Sequence, residues 1–184
     1  MLSWLKARSN VQAKAEKLYG GVVAAARQPM FYGEGRVADA PQGRFEMVLL
    51  HLFLLVERLA KDGKEGAQLS QALIETFVAD MDDCMREMGV GDMAVPKRVK
   101  RAAALFYKRA IGYRAGMLEA LREPANDAPL AAFLQSALLP DGGDQQFGRS
   151  LAAYAAHLAQ KLAGCSSEDI MRDDFSLTSL AATA

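Results

Sequence analysis

A run of ten residues, MVLLHLFLLV at 47–56, constrains the fold of this chain more than any other segment. Apart from His51, every side chain in it is apolar, so a helix formed by this run must be covered on all sides by other elements. A helix that spans a bilayer needs about 20 apolar residues, and this run is too short for that. It therefore predicts the buried central helix of a helical bundle.

The rest of the chain shows helical periodicity and no strand-like alternation. Helices are predicted at 11–28, 44–63, 69–88 and 95–121, within 126–143 after an N-cap at Asn126 or Asp127, and within 146–164, ending at Gly164. The prediction is an all-α fold: a single compact domain of about six helices, with a long central helical hairpin. This domain covers residues 1–164, and a polar, flexible tail follows at 165–184.

Composition narrows the class of protein. The chain has 184 residues and a formal net charge of zero, which argues against binding nucleic acid through overall positive charge. Cys84 and Cys165 form no paired motif and fit a reducing compartment. The first residues, MLSWLKARS, lack a long apolar segment and a cleavage site, so we expect no secretory signal.

The segment MDDCMREMGVGDMAVPKRVKR, residues 81–101, has the features of a tight connection between two helices. Gly89 stands where a helix end favours a left-handed residue, and Gly91 lets the chain reverse. Asp92 is a candidate N-cap for the next helix, and Pro96 suits its first turn. We call residues 89–96 the corner and expect it to be rigid.

Several short stretches match known cofactor or metal-binding motifs, but each lacks the structural surroundings that the motif requires. G-x-G-x-x-A occurs at 33–38 and 89–94, but a dinucleotide fingerprint needs a preceding strand, and neither stretch has one. His51 and His157 lack ligands at metal-binding spacing, and His51 in its apolar run is expected to be a core residue. The acids at 80–83 lie on a predicted helix, without the loop of a calcium site. We expect no metal, no cofactor and no enzymatic activity.

Charge is distributed asymmetrically around the corner. Residues 75–92 contain six acids and one base, whereas residues 97–114 contain seven bases and no acid. Bases in a first helical turn oppose the helix dipole, so an anionic partner is expected for them. Two readings stay open: the acids across the hairpin neutralise the bases, or an external partner such as RNA or phospholipid headgroups does so.

Three quoted stretches resemble the ubiquinol–cytochrome c chaperone family, in the order FYGEGRVADAPQGRFE, LHLFLLVERL and REMGVGDMAVPKRVKR. The resemblance is strongest over residues 19–121. It implies an all-helical, non-catalytic assembly chaperone that binds newly made cytochrome b during biogenesis of ubiquinol–cytochrome c reductase, respiratory complex III. In mitochondria, members act near the ribosomal tunnel exit with a small partner protein. We expect no mitochondrial presequence at the start of this chain, and the chain resembles bacterial members, for which such a partner is left open.

The resemblance implies a cytoplasmic protein with peripheral contact to the inner membrane and to the ribosome, and it suggests residues for the surface that binds its client. The candidates are Arg44, Met85, Arg86, Glu87, Asp92, Met93, Lys97, Arg98 and Arg101, with Gly89, Gly91 and Pro96 setting the geometry of the corner. Met85 and Met93 are expected to contact the client, and Met81 and Met88 to fill the core. The alternative is an RNA- or ribosome-binding helical module.

Overall fold

The structure is a computed structural model that describes residues 2–123, 127–139, 142–172 and 174–182, with side chains from Ser9 onward. The described residues form α-helices and one 3-10 turn, with no β-strand among them. The helices are α1 (Leu2–Ala26), α2 (Pro41–Leu59), α3 (Gly63–Glu87), α4 (Val95–Arg122), α5 (Ala128–Leu138), α6 (Gln145–Ala163), α7 (Ser167–Met171) and α8 (Leu177–Ala182), and the 3-10 turn is Pro29–Phe31. The all-α, single-domain prediction is confirmed. None of the described helices is long and apolar enough to cross a membrane.

Helix α2 lies at the centre of the domain, as the apolar run predicts. Every residue from 47 to 56 is buried, and helices α1, α3, α4, α5 and α6 all pack against α2. His51 is fully buried in this helix, and both of its ring nitrogens are hydrogen-bonded. The carbonyl of Met47 can only accept, so Nδ1 donates to it (2.8 Å) and Nε2 accepts from the hydroxyl of Tyr154 (2.7 Å). Burial lowers the pKa of His51 to about 4, so this histidine is a neutral core residue.

Helices α3 and α4 form the predicted hairpin and pack on α2 through aromatic rings. The ring of Phe77 on α3 lies between Phe45 of α2 and Phe106 of α4, with centroid distances of 6.2 and 6.0 Å. Helix α4 also packs closely on α5: a Cβ added at Gly116 would lie 2.8 Å from the Cα of Leu130. Helix α4 is therefore fixed along its inner side by α2, α3 and α5 together.

The segment beyond Gly164, expected to be a frayed tail, instead contains α7 and α8. Helix α7 begins with a capping box formed by Ser166 and Asp169. Ile170 and Leu177 are buried, and α8 packs on α1, where Leu177 faces Gly21. A few apolar side chains thus anchor a segment whose composition is mostly polar. Helices α7 and α8 are the two described helices that the prediction of about six did not include.

The predicted N-cap of α5 is not observed as a side-chain cap. Asp127 occupies the N-cap position but its side chain makes no capping hydrogen bond, and Asn126 lies outside the described residues. Helix α1 extends further towards the N-terminus than the predicted 11–28 and passes through Gly20 and Gly21 without a break.

Candidate binding surface

The corner begins with a glycine-terminated helix end of the Schellman type. Gly89 has a φ of 75°, in the left-handed region. Its N–H donates to the carbonyl of Arg86 (2.9 Å), and the N–H of Val90 donates to the carbonyl of Met85 (3.0 Å). These two bonds satisfy carbonyls that the end of α3 would otherwise leave open. The prediction for Gly89 is confirmed.

The start of α4 departs from the prediction at one residue. Pro96 lies in the first turn, as expected, but Ala94 is the N-cap, and no side chain caps this helix end. Asp92 instead accepts from Nη1 of Arg86 (2.7 Å), while Nε of Arg86 donates to Asp82 (2.5 Å). Arg86 therefore ties the corner back to α3. Gly91 does not adopt a positive φ.

The candidate residue Arg44 is bonded outside the corner. Its Nε donates to Asp39 in the loop before α2 (2.7 Å), and the two side chains are about equally exposed. The hydrogen bond from Arg44 holds the pKa of the Asp39 carboxyl below its usual range. The sequence placed Arg44 with the corner residues, but its bonding partner belongs to another segment.

The methionines near the corner differ from the expectation in which of them are exposed and which are buried. Met93 is 97% exposed, and Met88, expected in the core, is 66% exposed. Met81 and Met85 are half-buried against the core. The expectation for Met88 was wrong, because this residue is the C-cap of α3 and lies beyond the neighbouring helices that cover the preceding turns. Glu87 beside it is exposed.

The bases of α4 are not neutralised by the acids of α3. Arg109 and Arg114 pair with Glu46 and Glu57, both on α2. The remaining five bases of residues 97–114 are exposed, and their side chains make no ion pair with any part of the chain that the structure describes. These are Lys97, Arg98, Lys100, Arg101 and Lys108. Their positive charge is available to an external partner.

Helix α4 also carries an apolar stripe on its outer side, which the sequence reasoning missed. Ile111 is 68% exposed, and Tyr107 and Leu118 are more than half exposed. With Ala104 and Ala115 they recur every three or four residues, on the side opposite the buried Phe106. The same spacing can be found in the sequence, where these residues form a second apolar stripe beside the one that the structure buries.

The outer stripe leads into a groove of about 530 Å³ at the C-terminal end of α4, between α2 and α6. We call this cavity the groove. Its apolar lining is Phe53, Leu54, Met117, Leu118, Leu121, Ala159 and Ala163, and its polar lining is Glu57, Arg58, Lys61, Asp62, Arg114 and Gln160. Leu121 is 42% exposed there. An apolar lining among charged residues suits an apolar segment with charged flanks.

No metal centre is found within the described ranges, where no group of three or more His, Cys, Asp or Glu side chains could hold an ion. The buried groups with shifted pKa values are tyrosines and His51. Burial raises the pKa values of Tyr19 and Tyr113 above their usual range. The groove combines an apolar lining with charged residues at its edge, an arrangement suited to binding.

Comparison with known proteins gives one curated relative and one solved structure. A Mus musculus protein, ubiquinol-cytochrome c reductase complex assembly factor 1, is 23% identical over 124 residues, covering 67% of this chain and 40% of that protein. This chain therefore spans less than half the length of that relative. The crystal structure of the Cbp3 homolog from Brucella abortus is 37% identical, with a TM-score of 0.77 over 96% of both chains.

A model of one protein family matches residues 34–178, under the description ubiquinol-cytochrome C chaperone. The match extends well beyond residue 121, where the resemblance in the sequence faded, and includes α5, α6 and α7. The outer side of α4 and all the residues that line the groove lie inside it. The chain belongs to the ubiquinol–cytochrome c chaperone family.

Proposed function

We propose that this protein is a non-catalytic assembly chaperone that binds newly made cytochrome b during biogenesis of ubiquinol–cytochrome c reductase. Family membership supports a chaperone, and the mouse relative is named as an assembly factor of that complex. We place the activity in the cytoplasm, with peripheral contact to the inner membrane where the client is inserted.

The observation that carries the proposal is the groove with its apolar lining and charged edge. A transmembrane segment is apolar along its length and carries charged or aromatic residues near its ends. Leu118 and Leu121 would contact the apolar part of such a segment, and Glu57 and Arg114 would lie near its flank. The groove is open to solvent in the free protein, so a client can reach it without prior unfolding of the domain.

The corner is a second proposed contact for the client. Lys97, Arg98 and Arg101 are exposed, and Met93 extends from the loop between them and α3. Arg86 forms ion pairs with both Asp92 and Asp82, so we assign Arg86 and Asp92 to holding the corner in shape. Glu87 and Met85 lie on the last turn of α3, where they flank this contact.

The test compares two variants in a pull-down of tagged protein from cells that translate cytochrome b. Leu118→Glu/Leu121→Glu places carboxylates in the groove, and Lys97→Glu/Arg98→Glu reverses charge in the first turn of α4, next to the corner. A matched control, Met30→Glu, places a carboxylate on an exposed apolar residue outside α4. Because an unpaired carboxylate is costly to bury in an apolar contact, we expect the groove variant to lower recovery of cytochrome b at least about tenfold.

The recovery of cytochrome b with each variant shows which of the two proposed surfaces binds the client. Loss with the groove variant and retention with Met30→Glu support the groove as the client site. Loss confined to Lys97→Glu/Arg98→Glu would move the site to the corner. No enrichment of cytochrome b by the unmodified, folded protein would refute the chaperone proposal itself.

An RNA- or ribosome-binding module is the second candidate, favoured by the five exposed bases of α4 that form no ion pair within the described part of the chain. Binding through phosphates releases counterions, so affinity would fall steeply with salt. An RNA affinity that drops by several orders of magnitude between low and physiological salt, and that Lys97→Glu/Arg98→Glu abolishes, would support it.

A further inference from the structure

The first half of α4 combines unpaired bases and exposed apolar side chains on one side of the helix. At 3.6 residues per turn, seven positions from Lys97 to Ile111 fall within an arc of about 120°. They are Lys97, Lys100, Arg101, Ala104, Tyr107, Lys108 and Ile111. We call this set the basic–apolar face, and it is about 21 Å long.

We propose that the basic–apolar face docks on an anionic phospholipid surface. Lysine and arginine side chains are attracted to anionic headgroups, and their long stems allow the charge to reach a phosphate while apolar neighbours sit deeper. Tyr107 and Ile111 are exposed beside Lys100 and Lys108 and can enter the boundary between headgroups and acyl chains. This mixture of base, aromatic and aliphatic residues is the chemistry of peripheral membrane binding.

The positive charge of the basic–apolar face argues against a second copy of this chain as its binding partner. Residues 97–114 contain no acid, so two such faces would bring positive charges together. RNA would attract the bases but would leave Ile111 without a favourable contact, and Tyr107 is the only exposed aromatic side chain of this face. A phospholipid surface complements both the bases and the apolar residues.

The same helix connects the proposed membrane contact to the groove. Leu118 lies two helical turns beyond Ile111 and lines the groove. Docking of the basic–apolar face would hold the groove close to the membrane surface, where an apolar segment emerges or enters. The inference rests on the membrane contact named in the proposed function and assigns a surface to it, and it does not depend on the identity of the client.

The test is cosedimentation of the purified protein with vesicles of phosphatidylcholine, with and without roughly a quarter of phosphatidylglycerol. Lys97→Glu/Lys100→Glu reverses two charges on the face. The matched control, Lys64→Glu/Arg149→Glu, makes the same charge change at two exposed bases outside α4. Each base near an anionic surface strengthens binding about fivefold, so we expect the face variant to bind at least about tenfold more weakly, and the control to stay within about twofold.

A second variant tests the apolar part. Ile111→Ser keeps every charge and should weaken binding most at high salt, where attraction between charges is screened. Leu118→Ser/Leu121→Ser, which removes apolar lining from the groove without adding charge, should retain at least half of the vesicle binding, so failure of this inference and failure of the client proposal are distinguishable. Circular dichroism checks that each variant is folded.

Three results would overturn the inference. Equal binding to both kinds of vesicle, or none to either, would remove the anionic membrane as the partner. An equal loss with Lys64→Glu/Arg149→Glu would mean that net charge and not this face is responsible. Absence of vesicle binding together with salt-sensitive RNA binding, or with a dimer that Ile111→Ser dissociates, would assign the face to RNA or to a second copy.

Discussion

Two arginines of α4 pair with glutamates of α2, and their different burial gives a direct test of what fixes α4. Arg109 donates through Nε and Nη2 to Glu46 (2.8 and 2.7 Å), with side-chain exposures of 19% and 3%. Arg114 makes the same two-bond arrangement with Glu57, but it is 58% exposed. We predict that Arg109→Met is strongly destabilising and that Arg114→Met is not.

The magnitude follows from burial. Arg109→Met would leave the Glu46 carboxylate buried, with Gln42 as its remaining side-chain donor at 3.3 Å. Removing one partner of a buried ion pair costs about 3–5 kcal/mol, whereas an exposed pair contributes about 0–1 kcal/mol. Methionine keeps most of the apolar stem of arginine, so lost packing adds little to either variant.

The quantity to compare is the free energy of unfolding of the two variants, measured by urea denaturation with circular dichroism as the signal. The comparison requires that the slope of this free energy against urea concentration is the same in both variants. The double variant Glu46→Met/Arg109→Met removes both charges and should recover most of the lost free energy of unfolding. If Arg109→Met and Arg114→Met differ by less than about 1 kcal/mol, the buried pair does not fix α4 in the way that its geometry implies.

Three further predictions concern single residues and use the same unfolding assay. His51 has a folded pKa of about 4, below its usual 6.5. The unfolded state therefore takes up a proton first as pH falls, and stability should be constant above about pH 6.5 and drop by up to about 3 kcal/mol by about pH 4. His51→Gln should flatten this dependence, and His157→Gln, at an exposed position, should not. Gly116→Ala should cost about 1–3 kcal/mol, because its Cβ would lie 2.8 Å from the α5 backbone, whereas Gly20→Ala, with open space around it, should stabilise α1 by about 0.5–1 kcal/mol. Gly89→Ala should cost about 1–2 kcal/mol through its positive φ, and a cost near zero would show that the corner relaxes.

The sequence predicted those helices whose apolar residues follow directly from burial, either on one side of the helix or all around it. The run at 47–56 could only be a covered helix, and the apolar spacing of α4 fixed its length and its inner side. Gly89 and Pro96 were readable because each suits one backbone conformation at a helix end.

Tertiary packing decided the features that the sequence did not predict. Helices α7 and α8 were hidden because Ile170 and Leu177 stand among polar residues, and their burial depends on packing against the rest of the fold, with α8 on α1 and α6. Asp92 was assigned to a helix cap because residue type favours it, but Arg86 lies close enough to bind it instead. The exposed stripe of α4 has the same periodicity as a core stripe, so pattern alone could not say that it stays uncovered.

The exposure of that stripe is a stable property of the folded domain. The inner side of α4 is fixed by the pair of Arg109 and Glu46 and by the close approach of Gly116 to α5. Turning the helix to bury Ile111 would break both. Burying an aliphatic side chain of this size stabilises a fold or a complex by about 1.5–3 kcal/mol. Ile111 and Leu118 are exposed, so the folded domain by itself does not gain most of this stabilisation. A partner that covers α4 would gain it without rearranging the domain, and this is the energetic reason to expect both proposed contacts along one helix.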